Sequence, residues 1–163
     1  MTKPIPPQPT DGNPFAQQPG AVPPPPPAPA RGNLALGLVA AVVAALVTAG
    51  IYGGIVGATE YEIGYAAVGV GFLVGFVAGK VGGSNPVLPV LSAVLSLGAV
   101  YVGQLIGIAM IAADELGVSA TTLLSEHFDV LTESWKETAD AMTYLFFAIG
   151  AFAAFSGAKK AAS

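Results

Sequence analysis

The chain has 163 residues, of which 53 % are apolar and only 10 % charged, with a net charge of −4 and no cysteine. At a mean hydropathy of +0.68 there are too few polar side chains to coat a water-soluble core, and they are bunched rather than dispersed. The missing cysteines exclude a disulfide framework, a thiol nucleophile and a cysteine-held metal, and no basic surface for nucleic acid is present.

Residues 1–33 come first and hold 12 of the 14 prolines with a single aromatic, Phe15. Proline lacks a backbone donor and fixes φ, and the run Pro23, Pro24, Pro25, Pro26 and Pro27 favours an extended polyproline II rod. This composition cannot bury enough apolar surface to offset its ordering entropy, so the segment is expected to be a disordered tail. It is not expected to be a secretory signal, because the apolar run starts too late and continues too long. A polyproline rod can dock in an aromatic groove, so a cytoplasmic partner of the tail is one reading and a plain spacer the other.

From Leu34 to Gly57 there are 24 residues without a charge, enough to cross a bilayer as a helix. A turn, "ATEYE", leads to a second span over 63–83, lengthened past Gly79 if Lys80 snorkels. After "GSNP" a third span covers 87–113, with Pro86 and Pro89 around its first turn, where a missing N–H costs least. Acidic sequence fills 114–140, a fourth span covers 141–158, and a basic tail closes the chain at 159–163. The fold expected is an all-α integral membrane protein, a four-helix transmembrane bundle behind a disordered tail. Three spans with a re-entrant second segment is the alternative.

Charge segregation tests the count. Four spans put Lys3, Arg31, Lys80, Lys159 and Lys160 on one side with one acid, Asp11. The other side receives nine carboxylates and one base, Lys136. Lys and Arg near helix ends stay cytoplasmic, so both termini are expected inside a bacterial cytoplasmic membrane and 114–140 outside.

The glycine-rich stretch "GVGFLVGFVAGKVGG", 69–83, invites a nucleotide-loop reading that its spacing denies. A P-loop needs glycine where Val74 stands and Ser or Thr where Val81 stands, and Gly69, Gly71 and Gly75 read GxGxxxG rather than the dinucleotide fingerprint. Gly71, Gly75, Gly79 and Gly83 recur every four residues instead, placing small residues on one helix face where backbones can approach in lipid. Gly53 and Gly57, Ser92 and Ser96, Gly103 and Gly107, and Ala153 and Gly157 follow the same rule. They are read as packing positions within the bundle or towards a homo-oligomer.

Residues 61–83 contain E-I-G-aromatic-x-A-x-G-V-G-x-L-V-G, running from Glu62 to Gly75. This segment resembles one that recurs in uncharacterised small bacterial multi-pass inner-membrane proteins, where it bridges two membrane helices behind a polar N-terminal region. The resemblance implies a bacterial inner-membrane protein and carries no activity with it.

No span holds Asp, Glu, Lys, Arg or His near its middle, which a proton relay or charged-substrate carrier needs. Gln104, beside Tyr101, is read as an interhelical hydrogen bond or, alternatively, a pore contact. In 119–140 Leu124, Phe128, Leu131 and Trp135 share one helical face, expected to fold onto the bundle or bind a partner. Ser134 and Glu137 form a sequence capping box that would start the last helix near Trp135. His127 has neither a ligand set nor a nucleophile at useful spacing and is expected at the surface; Glu60 and Glu62 read as boundary charges. No cofactor, metal or catalytic group is expected. The functional expectation is a non-enzymatic adaptor, scaffold or assembly subunit tethering the proline-rich arm, with a small oligomeric channel, pore-former or transport subunit as the alternative. Its partners would be the lipid bilayer, a second copy or another membrane protein, and a client of the arm.

Overall fold

A computed structural model describes residues 32–163; the run Pro23–Pro27 and the rest of the proline-rich segment lie outside them. Six helices and no strand occur among the described residues: α1 (Leu34–Thr59), α2 (Gly64–Gly82), α3 (Leu88–Leu116), α4 (Ala120–Glu126), α5 (Phe128–Thr138) and α6 (Ala141–Ala161). α1, α2, α3 and α6 are each long and apolar enough to cross a membrane. α2 is one unbroken helix of 19 residues, roughly 28 Å at the α-helical rise, so the second segment is not a re-entrant loop.

The ends follow from local chemistry. Asn33 accepts the Leu36 N–H at 3.1 Å and opens α1, and Glu60 closes it with φ 57°. Gly83, at φ 69°, caps α2, and the Asn85 side chain accepts the Val87 N–H at 3.0 Å before α3. Gly117 ends α3 in the left-handed region. The expected Ser134/Glu137 box is absent because α5 runs unbroken through both positions; the box at the start of α6 is Asp140 with Thr143 instead. The single external helix expected over 119–140 is broken at His127, whose backbone (φ −127°, ψ 37°) belongs to neither α4 nor α5.

α2 packs most extensively on α6 and α1 on α3, while α2 and α3 also touch. α1 and α6 make no contact, so the four long helices form a diamond with α2 and α3 across its short diagonal. Small residues line the interior (Ala41, Ala49, Ala67, Ala78, Ala154), while Leu36, Val39, Val43, Leu46 and Ile51 of α1 point outward. Lipid tails are as apolar as leucine, so nothing drives large side chains inward and close backbone packing selects small ones.

The helices differ in length, and this places the functional residues. α3, with 29 residues, overshoots α2, and its second half is covered by the α4–α5 hairpin. There Leu105, Ala109, Ala113, Leu123 and Leu131 form a second, smaller core. Gln104, sixteen residues into α3, is therefore level with the 60–63 turn and the start of α6 rather than with the middle of the bundle.

Candidate functional site

Two features gather the residues singled out from sequence: a glycine seam between helices and a polar chain at the acidic end.

Gly71, Gly75 and Gly79 of α2 lie directly on the backbone of α6. A Cβ at these positions would overlap the carbonyl oxygens of Gly150, Ala154 and Ala158 respectively, so both helices keep a four-residue register of small residues. The α6 face is thus Gly150, Ala154 and Ala158, with Gly157 beside it against Phe72 and Phe76, rather than the pair Ala153 and Gly157. On the other side of the diamond, Gly53 faces Ile106 and the Gly103 carbonyl, Gly57 faces Met110, Gly103 faces Tyr52, and Gly107 faces Val56. All of these contacts are within one chain. Gly83 does not join the seam: it lies beyond the last residue of α2, turns the chain, and rests near Gly32. Ser92 and Ser96 are buried but donate to their own helix, to the carbonyls of Leu88 and Ala93 at 2.8 Å each. Gly50 and Gly54, not singled out from the sequence, have nothing within 4 Å of a would-be Cβ and lie open on α1.

The polar chain is centred on Gln104, 5 % exposed. Its amide N–H donates to the Glu62 carboxylate, and its oxygen accepts the Trp135 indole N–H at 2.6 Å. The assignment is chemically forced, since a carboxylate only accepts and an indole only donates. Gln104 therefore ties the 60–63 turn, α3 and α5 together. Around Trp135 stand Tyr101 and Tyr144, edge-on at 4.9 and 6.2 Å, and Phe147 at 6.1 Å. Such pairs add about 0.5–1.5 kcal/mol each beyond burial. All five tyrosines and the one tryptophan of the chain lie towards this end.

Two groups at this end are shifted from their ordinary acidity. Partial burial, then the neighbouring negative charge of Asp140, push the Glu62 carboxyl up, offset in part by the Gln104 donor. Asp140, accepting from the Thr143 backbone at 2.8 Å and its hydroxyl at 3.0 Å, is held below the usual carboxylate range. The Tyr52 hydroxyl, on a side chain 2 % exposed, lies beside Gln104 and has no hydrogen-bond partner among the described residues.

Of the apolar stripe expected in 119–140, Leu131 (3 % exposed) is buried against α3 and Trp135 is engaged as above. Leu123 takes the buried position in α4, where Leu124 is only partly covered. Phe128, with Val130, stays outside at 50 % exposure, because the break at His127 rotates it off the stripe. His127, Glu60 and Glu62 are all exposed, but the Glu62 carboxylate also accepts from Gln104 and so belongs to the polar chain as well as to the boundary.

No family model, curated protein or solved structure matches this chain.

Proposed function

We propose that the chain is a non-enzymatic membrane anchor and scaffold. It would sit in a bacterial cytoplasmic membrane with both termini inside, the α4–α5 hairpin outside, and the proline-rich arm presented to a cytoplasmic client. The observation that carries this reading is Gln104. It is the one strongly polar side chain far along a span, and both ends of its amide are engaged within the chain, by Glu62 and Trp135. A channel would hold that amide open to a water path, whereas here it fastens an extramembrane cap onto the bundle. The glycine seams are likewise filled by the chain's own helices. A second copy or another membrane protein would then meet the lipid-facing side of α1, where Gly50 and Gly54 are uncovered. The basic end, with Lys80, Lys159 and Lys160, favours the cytoplasmic side by the positive-inside rule.

Crosslinking followed by pull-down, with and without residues 2–30, tests the scaffold. A client recovered only with the arm is the expected result. Ion flux through reconstituted liposomes that disappears in Gln104→Leu would move the reading to a channel.

A further inference from the structure

The basic end carries a crevice of about 310 Å³ between the 83–86 turn, the first turn of α3 and the last turns of α6. Its floor is Pro89, Phe155 and Ala158, and its rim includes Ser84, Asn85 and Lys159. We infer that this crevice binds the phosphate of an anionic glycerophospholipid, with the glycerol and upper acyl chain lying on Phe155 and Pro89.

Three observations converge. First, the polar rim is made of donors. The Asn85 side-chain oxygen is engaged by the Val87 N–H, which leaves its amide N–H groups for a ligand. The Ser84 hydroxyl and the Lys159 ammonium have no acceptor among the described residues. Lys159, exposed on the rim, lies 5.5 Å from the Phe155 ring centre, and both side chains line the crevice. Second, no Asp or Glu side chain among the described residues lies at this end, where Ser163 also lines the crevice, and Lys80 and Lys160 add to its positive field; the described acidic side chains gather at the other end. An anion is attracted, and a zwitterionic headgroup brings its own cation into that field at a loss. Third, the crevice lies where α2 and α6 end and α3 begins, which is headgroup depth for any bilayer the four spans cross. A basic pocket between spans at that depth meets lipid phosphates. Free phosphate, hydrated and more highly charged, gains nothing from the apolar floor, so lipid is the source the lining selects.

The test uses the full chain purified in neutral detergent and scored by native mass spectrometry. The probes are phosphatidylglycerol, phosphatidylcholine and inorganic phosphate at equal concentration. Retention of phosphatidylglycerol should exceed that of phosphatidylcholine. Lys159→Gln should lower it about fivefold, the scale of one basic residue at an anionic surface. Lys159→Arg should keep most of it, and Lys136→Gln, at the acidic end, should change nothing. Equal retention of the two lipids overturns the inference, as does undiminished binding in Lys159→Gln or binding of inorganic phosphate alone. If deleting residues 2–30 raises phosphatidylglycerol retention to a level that Lys159→Gln leaves unchanged, the crevice belongs to the arm and the inference fails.

Discussion

Gln104 is where a single side chain decides the most. Replacing it with leucine strands the partly buried Trp135 indole N–H, while the exposed Glu62 carboxylate is taken up by water; a buried donor left unpaired costs about 1–3 kcal/mol, so the loss should lie towards the lower figure. Gln104→Leu should therefore lower the melting temperature. The emission of Trp135, the one tryptophan in the chain, should shift to the red as α5 loosens, and an unchanged spectrum would show that the cap is held by other contacts. The neighbouring acids have opposite signs. Glu62 is harder to ionise folded than unfolded, so its ionisation removes stability as pH rises above its ordinary value of 4.5. Asp140 is easier to ionise folded, so its contribution is present above its ordinary 3.8 and fades below it. Melting temperature followed from pH 3 to pH 8 should rise through the Asp140 range and then decline. Glu62→Gln should flatten the decline and leave the rise; a decline that survives the substitution points to another group. None of this network could be read from spacing: Gln104 lies 42 residues from Glu62 and 31 from Trp135, and only the fold brings the three together.

At the scale of the helix, the seam between α2 and α6 makes a sharper demand than hydrophobicity. Gly75→Ile drives a branched side chain into the Ala154 carbonyl. A backbone has no rotamer to yield, so the loss should reach about 3 kcal/mol, the upper range for overpacking. Phe76→Ile, on a half-exposed ring stacked on Phe72, should lose less, and Lys80→Ala very little. Equal melting temperatures for Gly75→Ile and Phe76→Ile would remove the seam as an explanation. A second change works through the backbone. Glu60 holds φ 57° at the end of α1, a conformation that costs a side chain roughly 1–2 kcal/mol. Glu60→Gly should therefore stabilise by up to about 1 kcal/mol by thermal melting. The four long helices were legible because runs of about twenty apolar residues are a counting signal. The four-residue glycine period marked the α2 face for the same reason of regularity. What packs on that face was not legible, since α6 carries two interleaved sets of small residues and period alone does not choose between Ala153 and Ala154. The break at His127 had no signal either: it carries no proline or glycine, and the apolar stripe continues across it.

For the whole molecule, the separation of charge between the two ends is also a statement about sidedness. Cysteines introduced at Ser84 and Ser125, both exposed and at opposite ends of the bundle, should react with an impermeant maleimide from opposite sides of the membrane. With both termini inside, Ser125→Cys labels in intact cells and Ser84→Cys only after lysis. Labelling of both from outside would break the four-span arrangement, and the reverse pattern would invert the orientation.

The diamond arrangement also bears on how the chain is made. Synthesis runs from the N-terminus, and each helix meets its partners only after they emerge. α1 finds its main partner once α3 is complete, but the glycine face of α2 waits until α6, the last of the described helices. From the completion of α2 at Gly82 until α6 begins at Ala141 that face lacks its partner, a period in which another helix of small residues could capture it. A nascent chain stopped before Ala141 should thus be held by membrane quality control, and a separately expressed 139–163 segment should release it by completing the seam in trans.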